Sequence, residues 1–108
     1  MPIYNKLVRD RIPEIIKGSG KKFSTRILEN DEFIAELKNK TYEELNEYVN
    51  AKNDNDAIEE LADLLEIIKT LSEYHGASLE KVEQVRTEKV EKRGTFKEKI
   101  FLIEVEDK

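Results

Sequence analysis

Two pairs of carboxylates are spaced as neighbours on a helix surface: Glu44 with Glu47, and Glu60 with Asp63. Residues three apart on an α-helix have Cβ atoms roughly 5–6 Å from each other. Their angular positions matter more than the spacing. On a wheel advancing about 100° per residue, with Leu37 at zero, Phe33, Ile34, Leu45 and Tyr48 span about −40° to +80° and mark a core face. Glu44 falls inside that arc at about −20°, and Glu47 on its edge at about −80°. On the next helical stretch, with Leu61 at zero, Ile58, Leu64, Leu65, Ile67, Ile68 and Leu71 span about +60° to −120°. Glu60 lies among them at about −100°, and Asp63 just past the edge. Glu43, Glu59 and Glu66 point away from these arcs. Burying a carboxylate among apolar side chains is costly, and a second like charge beside it costs more. A hard divalent cation compensates four converging carboxylates, and Mg²⁺ keeps waters and phosphate oxygens in its shell. The pattern therefore predicts a metal site that acts on a phosphate ligand. The competing reading is surface charge in salt bridges at the margin of each apolar stripe.

A third stretch carries the opposite sign. With Leu79 at zero, Val82, Val85 and Val90 mark an arc from about −120° to +20°, and Arg86, Lys89 and Arg93 all fall within it. Long basic side chains lay their stems on apolar surface and reach out with their heads, which is the plain structural account. Opposite a carboxylate–metal cluster, the same three cations suit a polyphosphate, with Lys as a point charge and Arg as a fork. Lys6, Arg9 and Arg11 form a second cationic group near the start, alternatively a solvated basic segment.

The elements that must position these groups follow from caps and periodicity. Ile12 to Lys17 forms a short helical turn with Pro13 at its first position. Residues 23–28 read as a short strand. Asn30 or Asp31 caps a helix running to about Asn50, and Asp54 or Asp56 caps a second that ends at Gly76. Ser78 caps a third, which stops at Gly94. Residues 100–105 are β-branched and aromatic and read as a strand that pairs with 23–28. His75, the only histidine, reads as a helix C-terminal residue rather than a catalytic one. The expected fold is all-α: about three main helices in a bundle, with a small two-stranded β appendage from the chain ends.

Composition bounds the function. The 108 residues suggest one domain, 1–108, and 38% are hydrophobic, enough for a core. Net charge is −5, without the basic footprint of a nucleic-acid binder. Cysteine is absent, which excludes disulfides, thiolate metal sites and a cysteine nucleophile. No apolar run spans a bilayer. A cytoplasmic protein is the expectation.

The segment Glu43-Glu44-Leu45-Asn46-Glu47, twelve residues, then Glu60-Leu61-Ala62-Asp63 resembles the E-x-x-E…E-x-x-D signature of MazG-like nucleotide pyrophosphatases. That superfamily includes phosphoribosyl-ATP pyrophosphohydrolases and dimeric dUTPases. The opening run from Tyr4 to Ile16 and the closing Lys89…Lys92-Arg93-Gly94-Thr95-Phe96 resemble a small single-domain branch described as phosphoribosyl-ATP pyrophosphohydrolase-like. The resemblance implies packed helices and Mg²⁺ (or Mn²⁺) held by Glu44, Glu47, Glu60 and Asp63. It also implies cleavage of a nucleoside triphosphate to monophosphate and pyrophosphate, in a homodimer or homotetramer. In that setting Glu47, at the rim, serves as general base. Lys89 and Arg93, with Arg86, hold the outgoing pyrophosphate, and Lys6 and Arg9 complete the substrate pocket. Tyr42 or Tyr48 is a candidate to stack on a base, with a place in the core as the equal alternative. The spacing between the motifs is at the short end of the family's range, and no separate base-reading motif is present. House-cleaning of nucleotides is the favoured role. Phosphoribosyl-ATP hydrolysis in histidine synthesis and a non-catalytic helical module that binds a nucleotide or a partner are the alternatives.

Overall fold

The computed structural model describes residues 2–107, and four helices account for its regular structure: α1 (Ile12–Gly18), α2 (Asn30–Val49), α3 (Asp54–Tyr74) and α4 (Leu79–Arg93). The all-α class and the helical bundle follow the sequence. The short helix α1 forms where Pro13 pre-sets its first turn.

The caps explain where each helix begins. Ser78 accepts a hydrogen bond from the Lys81 N–H at 3.2 Å, as its sequence position predicts. The α3 cap sits one residue earlier than expected. Asn53, not Asp54 or Asp56, has extended backbone and accepts from the Asp56 N–H at 2.8 Å. For α2 the cap position is Glu29, whose side chain makes no capping bond, rather than Asn30 or Asp31. Its carbonyl accepts from the Phe33 N–H at 2.8 Å. The approach to α2 is instead held by Arg26, which donates to both carboxylate oxygens of Glu32 at 3.2 and 2.8 Å. His75 is the C-cap of α3, as read from the sequence. Gly94 ends α4 with φ +81°, a conformation that a side chain would strain.

Long helices α2 and α3 are joined by four residues and pack on each other, so they form an antiparallel hairpin. Next, α4 packs on α3 and makes no helix contact with α2 among the described residues. The core is small: among the described residues Leu37 on α2 and Ile67 on α3 are its buried apolar side chains, joined by Ser72. The Ser72 hydroxyl satisfies itself by donating to the Ile68 carbonyl at 2.7 Å.

Two sequence expectations are corrected. The first concerns the β appendage. Residues 23–28 and 100–105 lie in neither helix nor strand, and no backbone hydrogen bond joins them. An isolated two-stranded ribbon is marginal in water without a covered face. Topology also separates the segments. Residues 23–28 run into the start of α2, at the end of the hairpin where α3 meets α4. Residues 100–105 follow the far end of α4, whose 15 residues extend roughly 22 Å from that end. The second correction concerns the apolar arcs. The wide arc of α3 is only half covered, because one helix partner covers one stripe. Leu64 and Leu71 flank buried Ile67, whereas Ile58, Leu61, Leu65 and Ile68 are exposed. On α2, Leu45 and Tyr48 are exposed, and α4 buries no residue fully.

Candidate metal centre

Glu44, Glu47 and Glu60 converge where α2 faces the first half of α3. Each offers an oxygen, and these oxygens all lie within 4.8 Å of one another. The antiparallel hairpin is what brings residues so far apart in sequence together: positions counted back from the α2–α3 turn meet positions counted forward from it. Glu44 and Glu60 are half-buried, and Glu47 is exposed at the rim. Glu44 Oε2 and Glu60 Oε2 are buried without any hydrogen-bond partner. Buried polar atoms are rarely left unpaired, so each orphan oxygen needs a reason.

Electrostatics report the same crowding. The Glu60 carboxyl is pushed up to about 7, chiefly because its protonated form can share a hydrogen bond with Glu44, then because burial penalises its charge, and then because of Glu47. Near neutral pH the metal-free Glu60 carboxyl is therefore only partly ionised. A divalent cation satisfies the same need with two charges, and the donor set suits it: three carboxylates, hard oxygen ligands, and two oxygens without partners.

Asp63 lies one turn further along α3 and is not in the three-carboxylate group. Its Oδ1 accepts from Arg9 Nη2 at 2.7 Å, in a partly exposed ion pair that ties the N-terminal segment to the middle of α3. Thus Arg9, from the opening basic segment, is brought to the acidic side of the hairpin. Arg11 instead pairs with Glu14 on its own helix, and Lys6 sits over the Tyr4 ring, 6.0 Å from its centroid. Arg86 donates twice to Glu83 one turn away on α4, through Nε at 2.9 Å and through Nη2. Lys89 and Arg93 form no ion pair among the described residues and sit on α4, which does not touch α2. In the single chain, then, the cations of α4 are not assembled with the carboxylates.

Two residues at the site escaped the sequence reading. Lys40 places its ammonium 3.6 Å from Glu44 Oε1, with only 20% of its side chain exposed and 12% of Glu44's. The signal was present: Lys40 lies four residues before Glu44, at about −60° on the same wheel, just past the edge of the apolar arc and between Glu44 and Glu47. Lys52 is the other. An open hollow of about 360 Å³ beside the cluster is lined by Glu47, Glu59, Glu60, Asn50, Asp56 and Lys52, together with Ala51. This hollow opens at the α2–α3 turn, so Glu47 and Glu60 face both the cluster and a space for a ligand. Glu59, read from the sequence as pointing away into water, lines it.

Comparison with family models, with curated proteins and with solved structures returned no match to this chain.

Proposed function

We propose that this chain is a Mg²⁺-dependent nucleotide pyrophosphohydrolase of the MazG-like kind, cleaving a nucleoside triphosphate between its α and β phosphates. The observation that carries the proposal is the convergence of Glu44, Glu47 and Glu60 around two buried oxygens that no protein donor satisfies. Crowded acids around an unmet need for positive charge are the chemistry of a divalent-cation site, and such sites in enzymes act mostly on phosphates.

In this reading Glu44, Glu47 and Glu60 hold the cation, Mg²⁺ or Mn²⁺. Asp63 joins them when Arg9 turns from it to a phosphate oxygen. A bound cation supplies charge to the phosphates and to the transition state. The side chains do the rest. Glu47, the most exposed of the three, accepts a proton from the attacking water as the water's oxygen bonds to the α phosphorus. The bond from that phosphorus to the bridging oxygen breaks, and pyrophosphate leaves with the electron pair. Lys40 is paired with Glu44, which leaves Arg9 on the acidic side and Lys52 at the hollow as this chain's cations for the triphosphate. Lys89, Arg93 and Arg86, with Lys6, reach it only when a neighbouring chain or a rearranged α4 brings them in. The working form is accordingly an assembly of identical chains, a dimer or tetramer. The role is removal of unwanted nucleotides in the cytoplasm. No helix of the described residues is long and apolar enough to cross a membrane, which agrees with a reaction in aqueous surroundings.

The test is pyrophosphate release from a panel of canonical and modified nucleoside triphosphates and phosphoribosyl-ATP, with Mg²⁺ and with EDTA. Release that needs the metal supports the enzyme and identifies its substrate. Silence across the panel favours the non-catalytic binding module instead.

A further inference from the structure

The acidic centre already contains cations of its own. Lys40 stands nine residues before the end of α2 at Val49, and Asp63 nine after the start of α3 at Asp54, so the antiparallel hairpin sets them at one level. The Cα–Cβ bonds of a helix tilt toward its N-terminus, which turns Glu44 toward Lys40, one turn earlier. The Lys40 ammonium lies 3.6 Å from Glu44 Oε1, and Arg9 Nη2 lies 2.7 Å from Asp63 Oδ1. The inner end of the centre is thus filled by a lysine and an arginine. Its other end, at Glu47 and Glu60, faces the open hollow at the α2–α3 turn.

Charge and burial say what these resident cations do. Glu44, Glu47, Glu60 and Asp63, all ionised, carry the charge that two divalent ions would balance. With Lys40 and Arg9 in place, the charge that remains is balanced by one. The two cations are not held alike. Arg9 is 56% exposed and comes from a segment outside the helices, so it turns away at little cost. Lys40 is 20% exposed and stands on α2 itself, against a Glu44 side chain that is more enclosed still. Separating that pair leaves an enclosed carboxylate uncompensated, which is costly. Lys40 therefore stays when a metal ion arrives. It occupies Glu44 Oε1 and leaves Glu44 Oε2, which with Glu60 Oε2 makes the two buried oxygens that lack a partner. A first divalent ion answers those oxygens. A second, at the level of Asp63, would meet the like charge of the ammonium.

We propose that Lys40 takes the place of a second metal ion, so that the acidic centre of the nucleotide-free chain holds one divalent cation and not two. This rests on the metal-binding reading of the preceding section and adds to it the number of ions and the residue that sets that number. Lys40 is a positioning residue: it fixes Glu44 and keeps a second divalent charge out.

The test is a Mn²⁺ titration of the full chain without nucleotide, read by electron paramagnetic resonance. The method counts bound ions and shows whether they are neighbours, because two Mn²⁺ at the spacing of a two-metal site, about 3.5–4 Å, couple their spins. Wild type is expected to bind one ion per chain with an uncoupled signal. Lys40→Met, which keeps the stem and removes the charge, is expected to bind a second ion and give a coupled signal. Lys40→Gln is expected to do the same, and it carries the test if the Met variant loses its helix signal by circular dichroism. Lys40→Arg restores the charge and returns the count to one. Lys38→Met, on the exposed side of the same helix, stays at one. A merely structural role for Lys40 would not create a coupled pair. Two ions per wild-type chain, or helical Lys40→Met and Lys40→Gln variants that stay at one, overturn the proposal while leaving the metal centre standing. No binding by wild type overturns the metal centre itself, and the role of Lys40 with it.

Discussion

The two sides of the α2–α3 hairpin are built from the same two helices and differ in what they lack. One side presents Glu44, Glu47 and Glu60 with too much negative charge and two unpartnered oxygens. The other presents an unbroken aliphatic seam with too little cover. The two deficits differ in kind: unpaired charge on the first side, uncovered apolar area on the second. Between them lies a thin layer around Leu37 and Ile67 that holds the helices together. A polar cluster and an uncovered apolar surface therefore sit close together in a chain with little core of its own.

The largest expected effect comes from breaking the layer that both sides share. Leu37→Ala truncates one of the two buried apolar side chains and should cost about 2–4 kcal/mol, a large share of the stability of a small domain. A urea titration followed by circular dichroism measures it. A midpoint close to wild type would mean that the hairpin is held mainly by contacts other than its central layer.

Glu60→Gln separates the sides. It should abolish metal-dependent pyrophosphate release while leaving the helix content intact, because Gln keeps the shape and removes only charge. In the metal-free protein above pH 7 this variant should melt higher than wild type, since it removes a carboxylate that is ionised there beside Glu44 and Glu47. Retained turnover would take the acidic cluster out of the mechanism.

The pH dependence sharpens the same contrast. The folded value for Glu60, about 7, lies above its ordinary 4.5, so the folded chain holds that proton more tightly than the unfolded one. The stabilisation is fully present below about 4.5 and is lost as pH rises through about 7. Thermal melting without metal should therefore fall across that window and flatten in Glu60→Gln. Metal competes with the proton, so added Mg²⁺ should stabilise more at pH 8 than at pH 5. A wild-type melting curve as flat as the variant's would remove the shared-proton account.

The smallest effects concern supports at the edges. Asn53→Ala removes the α3 cap bond and should cost about 1 kcal/mol. Arg9→Ala breaks a partly exposed ion pair and should cost less than about 1 kcal/mol in stability. The two are distinguishable by chemical denaturation, and only Arg9→Ala should also weaken phosphate binding.

The helices and the cluster were legible in the sequence for one reason. Both depend on local periodicity, and the placement of Glu44, Glu47 and Glu60 on or at the edge of apolar arcs is a statement about single helices. The α4 cap at Ser78 was legible in the same way. What the sequence concealed depends on distances between elements. The wheel for α3 gave one broad apolar arc, and only the packing partner divides it into a buried stripe at Leu64, Ile67 and Leu71 and an exposed one. Residues 100–105 have the composition of a strand, but a strand needs a neighbour, and the topology provides none within the chain. Arg86 lay in the predicted cationic stripe, yet Glu83 one turn away on the same helix takes its guanidinium.

The central claim is that the acidic side of the hairpin holds a divalent cation. Its most direct test is titration of the purified chain with Mn²⁺, reading free ion by electron paramagnetic resonance, for wild type, Glu60→Gln and the solvent-facing control Glu66→Gln. The account predicts saturable Mn²⁺ binding that Mg²⁺ displaces, is lost in Glu60→Gln and is unchanged in Glu66→Gln. Equal binding by all three proteins, or none by wild type, would contradict it.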